Sequence, residues 1–151
     1  SKDSTVTPGS DTPVAFTDSL GNQANMVIPA GSTIEPVQLA ILPDVPLQDL
    51  GGNQLATGPA FVLQGYRLSD GTPVTLTFSP GVPLTIMYLD SLIQEETLRM
   101  YYWNGTGWED ASCGEYVRNV AENTITVPIC HLSQFEMGGN TQRVYLPLIQ
   151  R

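Results

Sequence analysis

The chain has 151 residues, of which 41% are hydrophobic and only 14% charged, and fifteen acidic against six basic side chains give a net charge of −9. A chain of this length buries a full core as one domain, while so few Lys and Arg residues argue against nucleic acid or an anionic membrane as a partner. We expect no membrane insertion, because no apolar run approaches the roughly 20 residues of a transmembrane helix.

Short alternating runs rich in Thr, Val, Ile and aromatic residues lie between twelve prolines and fourteen glycines. Such runs are typical of strands, and the Gly and Pro residues mark turns. In chain order we predict strands at residues 25–29, 37–42, 59–66, 72–78, 83–89, 97–103 and 124–129, a turn at 79–81, and one or two helical turns within 90–98. This spacing predicts an all-β fold, an antiparallel β-sandwich of seven or more strands with extended N- and C-terminal tails.

The two ends of the chain differ from its middle. We predict residues 1–20 to be an N-terminal extension that packs on its own domain or is donated as a strand, residues 21–138 to be the sandwich, and residues 139–151 to be an apolar strand or tail. The Gly-Gly-Asn sequence at 138–140 is interpreted as a flexible joint. Strand donation would gain affinity from main-chain hydrogen bonds. Its expected contact residues are Val6, Val14, Phe16, Val144, Tyr145, Leu146, Leu148 and Ile149.

The two cysteines, Cys113 and Cys130, favour one disulfide, because no other soft metal ligands lie near them in the sequence. By the chain-entropy relation, the loop that this bridge closes would stabilise the fold by about 3 kcal/mol. The alternative is a pair of buried thiols in a reducing compartment. A surface of Thr, Ser, Asn, Gln and Gly suits an extracellular or cell-surface protein in its mature form, after removal of a signal peptide.

Oxygen-bearing and aromatic side chains suggest further binding hypotheses. Asp90, Glu95 and Asp110 are calcium-ligand types without regular spacing, so we expect no metal site and no cofactor. Asn104 begins an Asn-Gly pair typical of a hairpin turn, and with Thr106 it also matches a glycan acceptor. Aromatic rings between residues 101 and 116 are candidates for stacking on a sugar or on another subunit. They are Tyr101, Tyr102, Trp103, Trp108 and Tyr116.

The segments "VIPAGS", "PVTLTFSP", "LRMYYWNGTGW" and "NTITVPICHLSQF" follow one another in the chain. In this order they resemble the β-sandwich of ankyrins and netrin receptors and the related autoproteolysis module of adhesion receptors, in the form seen in secreted bacterial proteins, over about residues 25–138. The resemblance implies possible cleavage between Leu132 and Ser133, with the Ser133 hydroxyl attacking the Leu132 carbonyl and His131 accepting the hydroxyl proton. In the receptors a cysteine stands two residues before the histidine, whereas here that position is Ile129.

Regular strand alternation gives the same segment a structural interpretation. It would place His131, Ser133 and Phe135 on the core face of the strand, where a buried His and Ser simply bond to backbone. A conventional catalytic triad would have to use His131, the only histidine, so we do not expect an enzyme acting on other molecules.

The sequence therefore predicts a secreted structural or assembly module that self-associates, as a subunit of an extracellular filament joined by strand complementation. A self-cleaving sandwich and a carbohydrate-binding module, with a glycan as partner, are the alternatives.

Overall fold

The chain folds into two antiparallel sheets packed face to face, in a computed structural model that describes residues 2–90 and 93–141. Sheet A has the strand order β1-β4-β5-β12-β8-β9, with β6 paired to β5, and sheet B has the order β10-β11-β7-β3-β2. The strands of sheet A are β1 Lys2–Val6, β4 Val37–Leu42, β5 Gln54–Arg67, β6 Pro73–Val74, β8 Arg99–Trp103, β9 Trp108–Asp110 and β12 Gln134–Asn140. Those of sheet B are β2 Thr12–Thr17, β3 Gln23–Ile28, β7 Thr77–Met87, β10 Val117–Asn119 and β11 Thr124–His131. The predicted antiparallel β-sandwich is confirmed.

Residue alternation along the strands builds the core between the two sheets. In β2 and β3 every second side chain is buried and the others are exposed, as the two-residue period of a strand requires. The centre of the core is aromatic: the Phe61 ring lies 4.9 Å from that of Phe16 in the opposite sheet and 5.4 Å from that of Phe135 in its own sheet. None of the helices in the described part of the chain could cross a bilayer; the longest are two 3₁₀ turns, Glu95–Thr97 and Val120–Glu122.

Residues 2–17 pack on their own domain, which is one of the two alternatives predicted for the N-terminal extension, and they form part of the sandwich itself. Strand β1 pairs with β4 and β2 pairs with β3, both within the same chain. Val6, Val14 and Phe16, which we expected to contact a neighbour, are buried in the core of their own chain. That expectation is corrected, because their burial leaves no surface of these side chains for another molecule.

One predicted strand and one predicted turn are also corrected. Residues 72–78 do not form a single strand, since β6 ends at Val74 and β7 begins at Thr77. The Ser-Pro-Gly sequence at 79–81 is not a turn but part of β7, where the register against β11 shifts. Gly81 serves close packing, because a Cβ there would lie 2.7 Å from the sulfur of Cys113.

A strand-free segment, residues 43–53, crosses the outer face of sheet A, and we call it the strap. Its Val45 amide donates to the Ala60 carbonyl at 3.0 Å, and its Gln48 amide donates to the Glu136 carboxylate at 2.6 Å. Further along, Leu50 sits over Gly138, where a Cβ would lie 2.5 Å from the leucine Cδ1. The strap therefore buries the middle of β12 on the side that faces away from the core.

The Gly-Gly-Asn sequence is not a flexible joint. Gly138, Gly139 and Asn140 form the end of β12, and both glycines are buried. A Cβ on Gly139 would lie 2.8 Å from Ile93 and 2.9 Å from Thr97, so glycine is needed for close packing on both faces of the strand. The predicted boundary at residue 138 therefore falls inside a strand.

Candidate functional site

The His-Leu-Ser segment lies where the chain passes from sheet B to sheet A. Strand β11 ends at His131 and β12 begins at Gln134, so Leu132 and Ser133 connect the two sheets. The register of β11 against β7 shifts between Ile129 and His131. Phe135 is buried in the core as predicted, whereas His131 and Ser133 are only half-buried, because the bulge and the change of sheet break the alternation.

The imidazole of His131 faces the carbonyl whose bond would be cut. Its Nδ1 lies 3.2 Å from the Leu132 carbonyl oxygen, and the ring packs edge-on against Tyr102 with centroids 4.6 Å apart. A protonated Nδ1 would polarise this carbonyl, whereas the expected base would have to contact the Ser133 hydroxyl. Within the described residues no hydrogen bond joins His131 to that hydroxyl, and the Ser133 carbonyl accepts from the Leu63 amide at 3.0 Å.

The backbone around this bond adopts neither of two common strained conformations. Among the described residues the cis peptide bonds precede Pro59 and Pro80, and Asn123 is the one non-glycine residue with a left-handed φ. The segment thus brings a base and a carbonyl together without the hydroxyl. Self-cleavage between Leu132 and Ser133 stays a prediction.

Cys113 and Cys130 form the predicted disulfide. The bridge joins the loop before β10 to the end of β11, with Cα atoms 6.1 Å apart, and the Cys113 amide also donates to the Pro128 carbonyl at 2.9 Å. Cys113 is exposed and Cys130 half-buried, so solvent reaches the bridge at the surface of sheet B.

Glu136 is a buried carboxylate that the sequence analysis did not single out. It lies in β12 between the core residues Phe135 and Met137, so its side chain points to the outer face of sheet A, under the strap. It is 1% exposed, and within the described structure its Oε2 has no hydrogen-bond partner. Burial raises the pKa of the Glu136 carboxyl above its ordinary value, and the hydrogen bond from the Gln48 amide offsets only part of that rise.

Most of the aromatic residues of 101–116 pack within or against the β8–β9 hairpin. Trp103 and Trp108 are directly opposite each other, with ring centroids 5.5 Å apart and planes at 66°. Such cross-strand pairs stabilise a hairpin by themselves, and the two rings do not form a flat platform for a sugar. The hydroxyl of Tyr116 donates to Asp110 at 2.6 Å, and the ring lies beneath the Arg118 guanidinium at 4.9 Å. Carbohydrate binding stays a prediction.

The acidic side chains proposed for calcium are not brought together. Across the described part of the chain no three His, Cys, Asp or Glu residues are grouped closely enough to hold a metal ion. Instead, Asp90 accepts from the side-chain Nδ2 of Asn123 at 2.8 Å, and Asp110 accepts from the Tyr116 hydroxyl. Asn104 is exposed, and its Oδ1 accepts from the Thr106 and Gly107 amides, each at 2.8 Å, which fixes a four-residue hairpin loop. Its role as a glycan acceptor is untested.

The outer face of sheet B is unusual for a chain with a net charge of −9. Within residues 13–17, 23–27, 83–87, 117–119 and 124–128, the described strands of this sheet present no acidic or basic side chain outward. The residues in the central row are Val117, Thr126, Thr85, Asn25 and Ala15, each directly opposite the next. The flanking outward positions are Asn119, Thr124, Met87, Gln23, Thr17, Pro128, Pro83, Val27 and Pro13. We call this surface the uncharged face.

The remaining assembly residues, Val144, Tyr145, Leu146, Leu148 and Ile149, lie outside the described residues. No known family model matches the chain, and no curated protein or solved structure matches it. The resemblance to the ankyrin, netrin-receptor and adhesion-receptor sandwiches therefore stays a prediction.

Proposed function

We propose that this chain is an extracellular, non-enzymatic structural module that joins neighbouring copies by donating residues 142–151 as a strand. One observation supports this most directly: a two-sheet core closes within residues 2–141, with both N-terminal strands paired in the same chain. The N-terminal segment is already paired within its own chain, so the apolar C-terminal segment is the remaining candidate for the donated strand.

The chemistry of the segment fits this role. It combines five apolar side chains with Pro147, which cannot donate a ladder hydrogen bond and so suits an edge or an added strand. An oxidising, extracellular environment is supported by the disulfide, because an exposed bridge of this kind would be reduced in a cytosol.

The test compares the full chain with a variant that ends at Thr141. We expect the full chain to form oligomers in sedimentation velocity and the shortened variant to remain a folded monomer with an unchanged circular dichroism spectrum. A synthetic peptide of residues 142–151 should compete with donation and dissolve the oligomers, whereas a peptide of the same composition in scrambled order should not. Equal assembly by both chains would contradict the proposal.

Self-cleavage is a second candidate, favoured by the 3.2 Å approach of the His131 Nδ1 to the Leu132 carbonyl oxygen. Intact mass measured under denaturing conditions decides it. Two fragments that separate after Leu132, and that vanish in Ser133→Ala, would support cleavage. A single full-length mass after prolonged incubation would reject it.

A further inference from the structure

The uncharged face differs from the rest of the surface in a way that needs a physical explanation. Solvent-exposed strands normally carry charged side chains, which discourage sheets from sticking together. The outer face of sheet A follows that rule, with Asp3, Arg99 and Asp110 pointing outward. Sheet B instead exposes apolar side chains there, with Val27 at 51%, Met87 at 46% and Val117 at 66% of their full exposure.

The side chains of this face suit a copy of itself. Two copies with a charge of −9 repel each other, and the repulsion is weakest where the facing surfaces carry no charge. A two-fold contact also brings identical residues together, so an acidic or basic group would meet its own kind. Hydroxyls and amides avoid this problem because each of them both donates and accepts. Thr85 and Thr126 already pair in this way within the sheet, with oxygens 3.0 Å apart.

The size of the face limits the strength of the contact. Five strands about 4.8 Å apart, each with about six residues at 3.3 Å, cover about 400 Å². A stable dimer buries about 800 Å² on each partner. A contact of half that size is weak, so we expect its dimer to form only at high protein concentration.

We propose that the uncharged face of sheet B is a weak, two-fold contact surface for a second copy of this chain, separate from the donation of residues 142–151. The shape of the surface agrees with this proposal, since a depression of about 370 Å³ lies at Pro13, Asn25, Val27 and Pro83, and Met87 and Val117 are exposed on the same face. Protruding side chains on one copy can enter the depression on the other.

Two matched pairs of Asn→Asp substitutions test the proposal, since each adds two charges without changing side-chain size. The first pair, Asn25→Asp with Asn119→Asp, lies on the uncharged face, and the second, Asn53→Asp with Asn104→Asp, lies at exposed positions on the side of sheet A. Asn119 and Asn104 each accept a hydrogen bond from a backbone amide, which an aspartate also accepts, and Asn25 and Asn53 are exposed, so we expect both pairs to keep the fold.

Sedimentation equilibrium of the full chain, with excess peptide 142–151 present to suppress donation, gives the readout. We expect the wild type to form dimers more strongly at about 300 mM NaCl than at about 20 mM, because salt screens the repulsion between copies. The face pair should weaken the dimer about tenfold or more, and the control pair should leave it within about twofold. A monomeric wild type, weaker association at high salt, or equal effects of the two pairs would each overturn the proposal. Since the peptide removes donation alone, failure of this contact is distinguishable from failure of the proposed function.

Discussion

Removal of the Cys113–Cys130 bridge should lower the stability of the fold by a calculable amount. The two cysteines are 17 residues apart, and a loop of this length restricts the unfolded chain by about 3 kcal/mol at 25 °C. In a domain of about 150 residues each kcal/mol corresponds to about 2–4 °C in Tm, so the double variant Cys113→Ser, Cys130→Ser should melt about 6–12 °C lower. Calorimetry and urea unfolding of both proteins measure the difference.

Reducing agent supplies the control for this prediction. It should lower the wild-type Tm to that of the double variant and leave the double variant unchanged, since Cys113 is exposed and accessible. A loss below about 1 kcal/mol would refute the reasoning. It would mean that β10 and β11 already hold the loop closed in the unfolded chain, through contacts such as the Cys113 amide to the Pro128 carbonyl.

Three further substitutions probe the core and the strap. The pKa of Glu136 is raised in the folded protein, so its contribution to stability is fully present below the unfolded pKa and is lost as pH rises through the folded pKa. The free energy of unfolding of Glu136→Gln should therefore equal that of the wild type at low pH and exceed it by about 1 kcal/mol or more at pH about 8. Urea unfolding at both pH values measures the difference. A Cβ at Gly138 would overlap the Leu55 carbonyl oxygen, so Gly138→Ala should lose about 2–3 kcal/mol in urea unfolding, while Gly9→Ala, with open space around it, should be nearly neutral. Phe61→Ala should lose about 3–5 kcal/mol by thermal unfolding, since its ring contacts two other phenylalanines at the centre of the core; a loss near 1 kcal/mol would show that the cavity collapses.

The fold class and the disulfide could be predicted because both depend on local features. Alternation of apolar and polar residues, such as that of 124–129, indicates which side of a strand faces the core. Two cysteines leave one possible disulfide pairing. The turn predicted at Ser-Pro-Gly 79–81 was wrong, although these residues normally mark turns. Here β7 is held on both sides, by β11 and β3, and continues through them.

Long-range packing explains most of what the sequence analysis missed. Alternation with Phe135 and Met137 points Glu136 outward from its strand, and only the strap, some 90 residues earlier in the chain, buries it. The flexible joint predicted at glycines 138 and 139 was wrong for the same reason, since the residues that pack against them come from distant segments of the chain. The uncharged face becomes visible only with the pairing register, because its outward residues come from five strands scattered between residues 13 and 128.

Strand β12 follows β11 through the connection at Leu132 and Ser133, and it is hydrogen-bonded between β5 and β8 in the middle of sheet A. A break in the chain at that connection would therefore leave the two pieces bound together as one particle. By the same reasoning, a fragment ending at Leu132 would expose two vacant strand margins and could be completed by a separate peptide starting at Ser133. We therefore expect the two fragments, made separately, to reassemble into the native fold when they are mixed.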